Sequence, residues 1–65
     1  VNADSAEAYM YLAQAYYGKG DNSEAYQTYE KAAELAQKDN NIEMVALIRV
    51  RLAYLTQEMG MPSGN

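Results

Sequence analysis

The stretch YMYLAQAYYGKGDNSEAYQTYEKA, residues 9–32, decides the fold of this chain. On both sides of its centre, apolar residues recur with the spacing i, i+3, i+4, i+7 that is typical of a helix with one apolar face. At the centre, Gly20 fits the left-handed position that ends many helices, and Lys19 before it suits a helix C-terminus. Only Asp21 and Asn22 link the two patterns, so the helices must be antiparallel neighbours. The stretch therefore predicts an antiparallel helical hairpin.

The predicted apolar faces of this hairpin combine tyrosine with alanine. They consist of Tyr9, Leu12, Ala13 and Tyr16 on the first helix and of Ala25, Tyr29, Ala32 and Ala36 on the second. Because alanine is small, we expect the two backbones to approach closely, with tyrosine rings filling the remaining space.

A capping signal that occurs three times extends the prediction to the rest of the chain. Asp4, Asp21 and Asn40 each stand three residues before a glutamate. At that spacing the first residue accepts a hydrogen bond from a free N–H of the helix start, and the glutamate reaches back to it. Strand-forming residues are sparse before residue 42. We therefore predict an all-α fold. Its helices are expected over about 4–19, 22–38 and 41–59.

Composition narrows the classes of function. The 65 residues are enough for one small domain, and they include no cysteine and no histidine. A disulfide-stapled mini-protein and a cysteine-type zinc site are therefore excluded, and the usual general base is absent. With a net charge of −4, the chain lacks the basic patch that a nucleic-acid binder normally shows.

Simple features of the chain bear on where the protein resides and on whether the chain is part of a longer one. No apolar run approaches the roughly 18 residues that a membrane span needs, and no signal peptide is visible. The absence of cysteine fits a reducing cytosol and also allows a bacterial periplasm. Because the chain begins with Val1 and not with Met, we expect it to be a piece of a longer protein.

The glycine-rich centre of the hairpin invites comparison with a phosphate-binding loop. Such a loop needs a strand, then Gly-x4-Gly-Lys-Ser/Thr, then a helix. Here the spacing differs, a predicted helix precedes the glycines, and Asp21 and Glu24 would repel phosphate. The serines of the chain also lack a histidine or cysteine partner for nucleophilic catalysis. The sequence therefore predicts a turn, no enzyme, no cofactor and no metal site.

The hairpin resembles a tetratricopeptide repeat. The resemblance rests on Tyr9-x2-Leu12-Ala13-x2-Tyr16, Gly20-Asp21, Ala25-x3-Tyr29 and Ala32. It departs from the family pattern where Tyr9 replaces a tryptophan and where Gln37 falls near an expected proline. A partial second match, Leu52-Ala53 followed by Gly60, repeats the first after 40 residues, against roughly 34 in the family.

The resemblance implies a single domain, residues 1–65, that is a fragment of an α-solenoid. Residues 6–39 would form one full repeat, 41–59 the first helix of a second, and 60–65 a tail. It further implies a protein-interaction scaffold without catalytic activity, in which the first helices of the repeats line a groove that holds a segment of a partner protein. By that correspondence the groove would be lined by Glu7, Met10, Gln14 and Tyr17 and by Leu47, Val50 and Tyr54. Such a groove favours an apolar or amphipathic partner, and it lacks the Lys/Arg and Asn set with which family members clamp a C-terminal carboxylate.

The third helix raises an alternative function, because its predicted surface is apolar on most sides. One stripe follows the alternating spacing of three and four residues seen in coiled coils. It contains Val45, Ile48, Leu52, Leu55 and Met59. A second copy of the chain, the remainder of a longer parent or a ligand helix could cover the uncovered side. Since two-fold dimers are the commonest closed assembly, the alternative is self-association into a homodimer through this stripe. For the groove residues, the alternative interpretation is that they are core or oligomer contacts.

Overall fold

A computed structural model of the chain describes residues 5–60 and confirms the all-α prediction. Within this range there are three α-helices and no strand. They are α1 (Ala6–Lys19), α2 (Asn22–Lys38) and α3 (Ile42–Glu58). Predicted features at Asp4 and in the tail after Gly60 lie outside the described residues.

Each of the three helices is followed, within two residues of its end, by a residue with positive φ. Gly20, Asn40 and Gly60 have φ of 89°, 57° and 71°. At the first turn, the N–H groups of Gly20 and Asp21 donate to the carbonyls of Tyr17 and Tyr16. Asn40 and the residue after it make the corresponding bonds at the second turn. This arrangement satisfies carbonyls at the helix end and reverses the chain within a few residues.

The helix starts differ from the predicted capping boxes. The cap of α1 is Ser5, whose Oγ accepts from the N–H of Ala8 at 3.1 Å. The cap of α3 is Asn41, whose Oδ1 accepts from the N–H of Met44 at 3.2 Å. Asn40 was the predicted cap of α3, but its positive φ places it in the preceding turn. Asp21 does begin α2, although its side chain makes no capping hydrogen bond.

The central helix, α2, packs against both neighbours, whereas α1 and α3 touch each other only slightly. Each short turn reverses the chain direction, so α1 and α3 run parallel on either side of α2. The molecule is thin in one direction, with extents of 33 × 26 × 13 Å. Three short helices cannot cover one another on all sides, so part of each helix stays exposed.

The core consists of small residues where α1 packs against α2 and of larger ones where α3 packs against α2. Among the buried side chains, four alanines lie at the contact of α1 with α2 or along α2, and Ile48 and Leu55 anchor α3. These four are Ala13, Ala25, Ala32 and Ala36, and Ala6 in the first turn of α1 is buried as well. As predicted, tyrosine accompanies them, because Tyr29 of α2 is only 2% exposed.

The buried face of α1 is rotated from the predicted one. Ala6, Met10 and Ala13 are buried, whereas Leu12, which was predicted to be in the core, is 45% exposed. Tyr9 and Tyr16 are half-buried at the edge of the core. The physical reason is that α1 is apolar on more than one side. The helical period alone is therefore compatible with burial of either of two overlapping faces. In the structure, the face with Met10 and Ala13 is the one that packs against the alanines of α2.

Candidate binding groove

A cavity of about 260 Å³ lies where α1 and α3 pass each other above α2. All three helices contribute to its walls. It is lined by Tyr17, Tyr29, Arg51, Tyr54, Leu55 and Glu58. On α3, the positions 51, 54 and 58 share one side of the helix because they are spaced by three and four residues. The cavity is therefore the deep part of a groove between the two parallel helices.

One hydrogen bond spans the groove. The Tyr17 hydroxyl of α1 donates to Oε2 of Glu58 on α3 at 2.7 Å, although the residues are 41 positions apart in sequence. This bond raises the pKa of the Tyr17 phenol above its usual value, and the negative charge of Glu58 adds to the effect. Since α1 and α3 otherwise touch only slightly, the bond ties the groove at its C-terminal end.

Tyr29 of α2 forms the floor of the cavity. Its ring belongs to the core, and burial raises the pKa of its hydroxyl, while the guanidinium of Arg51 acts in the opposite direction. The Tyr29 hydroxyl has no hydrogen-bond partner among residues 5–60. Within the same residues, no buried side-chain N or O atom is both sealed from the surface and unpaired. The hydroxyl therefore reaches the space of the cavity.

Arg51 is the cation of the groove, and no carboxylate in the described part of the chain forms an ion pair with it. The two ion pairs found there lie elsewhere, Lys19 with Asp21 at 3.7 Å and Lys31 with Glu34 at 3.6 Å. The side chain is exposed to solvent while it lines the cavity. The groove thus combines aromatic walls with a positive group that forms no ion pair within residues 5–60.

The structure brings together only part of the predicted groove. Tyr17 and Tyr54 line the same cavity, as a shared groove requires. Leu47 and Val50 are exposed on α3 but do not line the cavity. On α1, Glu7 is exposed and Gln14 is half-buried, and neither lines the cavity.

Met10 needs a correction, because it is only 8% exposed and belongs to the core cluster. It is therefore unavailable to a partner in this packing. The cause is the rotation of α1 described above, which turns one edge of the predicted groove face inward.

The stripe of α3 that was predicted to form a dimer faces α2 within the same chain. Ile48 and Leu55 are its centre and are completely buried or nearly so. Val45, Leu52 and Met59 are half-buried at its margins. Because Ile48 and Leu55 already fill the protein's own core, a second copy could not contact them in this packing. In this packing the stripe belongs to the core of the chain, so the predicted dimer interface is wrong.

Three cavity residues were not predicted as site residues: Tyr29, Arg51 and Glu58. Tyr29 was expected to be part of the core, which is correct, but its hydroxyl also faces the cavity. The helical spacing of Arg51, Tyr54 and Glu58 already placed them on one side of α3. What the sequence lacked was a sign that this side turns toward α1.

The described residues also bear on membrane spanning and on metal binding. None of the helices described is long and apolar enough to cross a membrane. Residues 5–60 contain no group of three or more acidic side chains placed to hold a metal ion.

Comparison of the chain with family models, with curated proteins and with solved structures finds no match in any of the three.

Proposed function

We propose that this chain is a protein-interaction module, similar to a tetratricopeptide repeat, that binds an apolar or amphipathic segment of a partner in the groove between α1 and α3. One observation carries the proposal: two parallel helices leave a cavity of about 260 Å³ between them, walled by tyrosine rings. The proposal assigns the chain no catalytic step. The sequence pattern of the first hairpin supports the same function independently.

The size of the cavity suits a side chain better than a whole ligand. Pockets for drug-sized molecules usually measure about 300–1,000 Å³, so this one would accept one or two side chains of a longer segment. Tyr17 and Tyr54 are 43% and 62% exposed beside it. Tyrosine offers a large contact area with a polar end, and such residues often dominate binding energy at interfaces. The cavity would therefore anchor a segment that continues along the groove.

A peptide-display selection on the 65-residue chain tests the proposal. Peptides recovered on the wild-type protein should lose at least about tenfold in affinity for the Tyr54→Ala variant, since truncating an interface anchor commonly raises Kd by that much or more. Tyr11→Ala is the matched control, because Tyr11 is 59% exposed on α1 and does not line the cavity. Peptides that bind both variants like the wild type would contradict the proposal.

Self-association is the second candidate, and the uncovered side of α3 favours it. Leu47, Val50 and Tyr54 are between 42% and 62% exposed, and their spacing of three and four residues forms one stripe. A second copy related by a two-fold axis could cover this stripe with its own. The interface would differ from the predicted one, because Ile48 and Leu55 lie on the buried side of the helix.

Sedimentation equilibrium distinguishes the two candidates. A dimer through the outer stripe should dissociate in the Val50→Lys variant, because a lysine would meet its own symmetry mate or an apolar surface. Tyr11→Lys introduces the same charge on α1 and should leave the mass unchanged. A monomeric wild type at micromolar concentration would exclude self-association as the function and leave the groove free.

A further inference from the structure

The cavity contains two hydrogen-bond donors without a partner in the described part of the chain. One is the guanidinium of Arg51, which forms no ion pair there. The other is the hydroxyl of Tyr29, on a residue that is 2% exposed. That hydroxyl is not sealed from the surface and opens into the cavity. Both donors line the same small space, so one acceptor placed there could serve both.

Charge decides which acceptor fits. A carboxylate presents two oxygens, and a guanidinium binds such a group with two parallel N–H donors. Glu58 also lines the cavity, but its Oε2 already accepts from Tyr17. Because the carboxylate of Glu58 lies at the same cavity, each further negative charge is opposed, so a group with a single negative charge suits the site better than a dianion such as phosphate.

The residues that line the cavity favour a side-chain carboxylate over the carboxylate of a chain terminus. A chain terminus would carry the N–H and C=O groups of its last residue into the cavity, where the carboxylate would occupy Arg51 and Tyr29. In the same cavity, Oε2 of Glu58 already accepts from Tyr17. Unpaired backbone groups in such surroundings are unfavourable. A glutamate or aspartate side chain instead delivers its carboxylate on a methylene stem, which the tyrosine rings and Leu55 can contact.

We propose that the cavity is a subsite for an acidic side chain of the bound segment, whose carboxylate is held by Arg51 and Tyr29. This inference rests on the proposed function of the groove and specifies the chemistry of the partner: an acidic residue flanked by apolar ones. The carboxylate accepts from the guanidinium at the mouth and from the phenol at the floor.

Three matched tripeptides test the subsite in titrations followed by NMR of the isotope-labelled chain. They are acetyl-Leu-Glu-Leu-amide, its neutral analogue acetyl-Leu-Gln-Leu-amide, and acetyl-Leu-Gln-Leu with a free C-terminal carboxylate. The glutamate peptide should bind about five- to tenfold more tightly than the neutral one, the range expected for a charged hydrogen bond that is partly exposed to solvent. Equal affinity of these two would overturn the subsite, and tighter binding of the free C-terminus would overturn the side-chain assignment.

Substitutions then locate the effect. Arg51→Gln should abolish the preference for glutamate over glutamine, and Tyr29→Phe should reduce it several-fold while the ring stays in the core. Arg49→Gln is the matched control, since Arg49 is exposed on α3 and does not line the cavity. A preference that survives Arg51→Gln would contradict the proposal. Circular dichroism of each variant confirms that the helices are intact.

Failure of the subsite and failure of the groove are distinguishable. In one outcome, the glutamate peptide binds no more tightly than the glutamine peptide, while display-selected peptides still lose affinity for the Tyr54→Ala variant. The groove then binds segments of another composition. If selected peptides ignore Tyr54→Ala as well, the proposed function itself is wrong.

Discussion

Gly18 and Gly20 stand two positions apart, and the backbone gives them opposite roles. Gly20 has a φ of 89°, in the left-handed region, and ends α1. Gly18 lies inside the helix with no such requirement. No atom outside the local backbone lies within 4 Å of a Cβ added at either position. Steric clashes therefore play no part, and only the backbone conformation distinguishes the two glycines.

We predict that Gly20→Ala and Gly18→Ala change stability with opposite signs. A left-handed alanine costs about 1–2 kcal/mol, so Gly20→Ala should lower the free energy of unfolding. Gly18→Ala should raise it by about 0.5–1 kcal/mol, because alanine loses less backbone freedom in a helix than glycine. Urea unfolding followed by circular dichroism measures both. A loss of stability in Gly18→Ala would show that this position is not an ordinary helical one.

At the scale of the element, the helix starts show how similar sequence signals differ in structure. Asn41 accepts a hydrogen bond from the N–H of Met44, whereas Asp21 makes no capping bond with its side chain. Both are short polar residues, and both directly follow a left-handed residue. Their side chains therefore contribute unequally to the helices they precede.

Removing these two side chains tests the difference. Asn41→Ala should destabilise the chain by about 1 kcal/mol, the usual effect of losing a capping side chain. Asp21→Ala should cost less than half as much, since only its exposed contact with Lys19 and its charge near the start of α2 are lost. Thermal unfolding at neutral pH measures both values. A larger loss at Asp21 would mean that its side chain caps α2 in solution.

At the scale of the whole molecule, α3 depends on a single face. Ile48 and Leu55 are the largest side chains that are completely buried, and they hold α3 against α2. The opposite side of the helix carries exposed apolar residues such as Val50. A core of one small domain rarely supplies more than about 3–5 kcal/mol, so each anchor carries a large share of the stability.

We therefore predict that Ile48→Ala removes about 2–5 kcal/mol, the range for truncating a buried aliphatic side chain. This loss would leave the chain largely unfolded. Val50→Ala should change stability by less than about 0.5 kcal/mol, as is usual at exposed positions. Circular dichroism with urea titration compares the variants. A large loss in Val50→Ala that grows with protein concentration would instead place Val50 in a dimer interface.

Sequence reasoning reached only part of the cavity lining, and the limit is visible in individual residues. Tyr17 and Tyr54 were predicted to share a groove, and both line the cavity. Met10 was predicted to join them but lies in the core. The periodic spacing gave the same support to Met10 as to Leu12, because α1 is apolar on two adjacent sides, so only the packing partner could distinguish them.

The sequence by itself determined the number of helices, their ends and their order, because capping, helical period and turn residues act over a few positions. The buried side of α2 was also predicted, but only the tertiary structure decided which side of α1 and which apolar stripe of α3 are buried. The rotation of α1 against the alanines of α2 and the use of Ile48 and Leu55 as core depend on contacts between residues far apart in sequence. The same contacts bring Arg51 and Glu58 to face Tyr17 and so create the cavity, which no local pattern in the chain specifies.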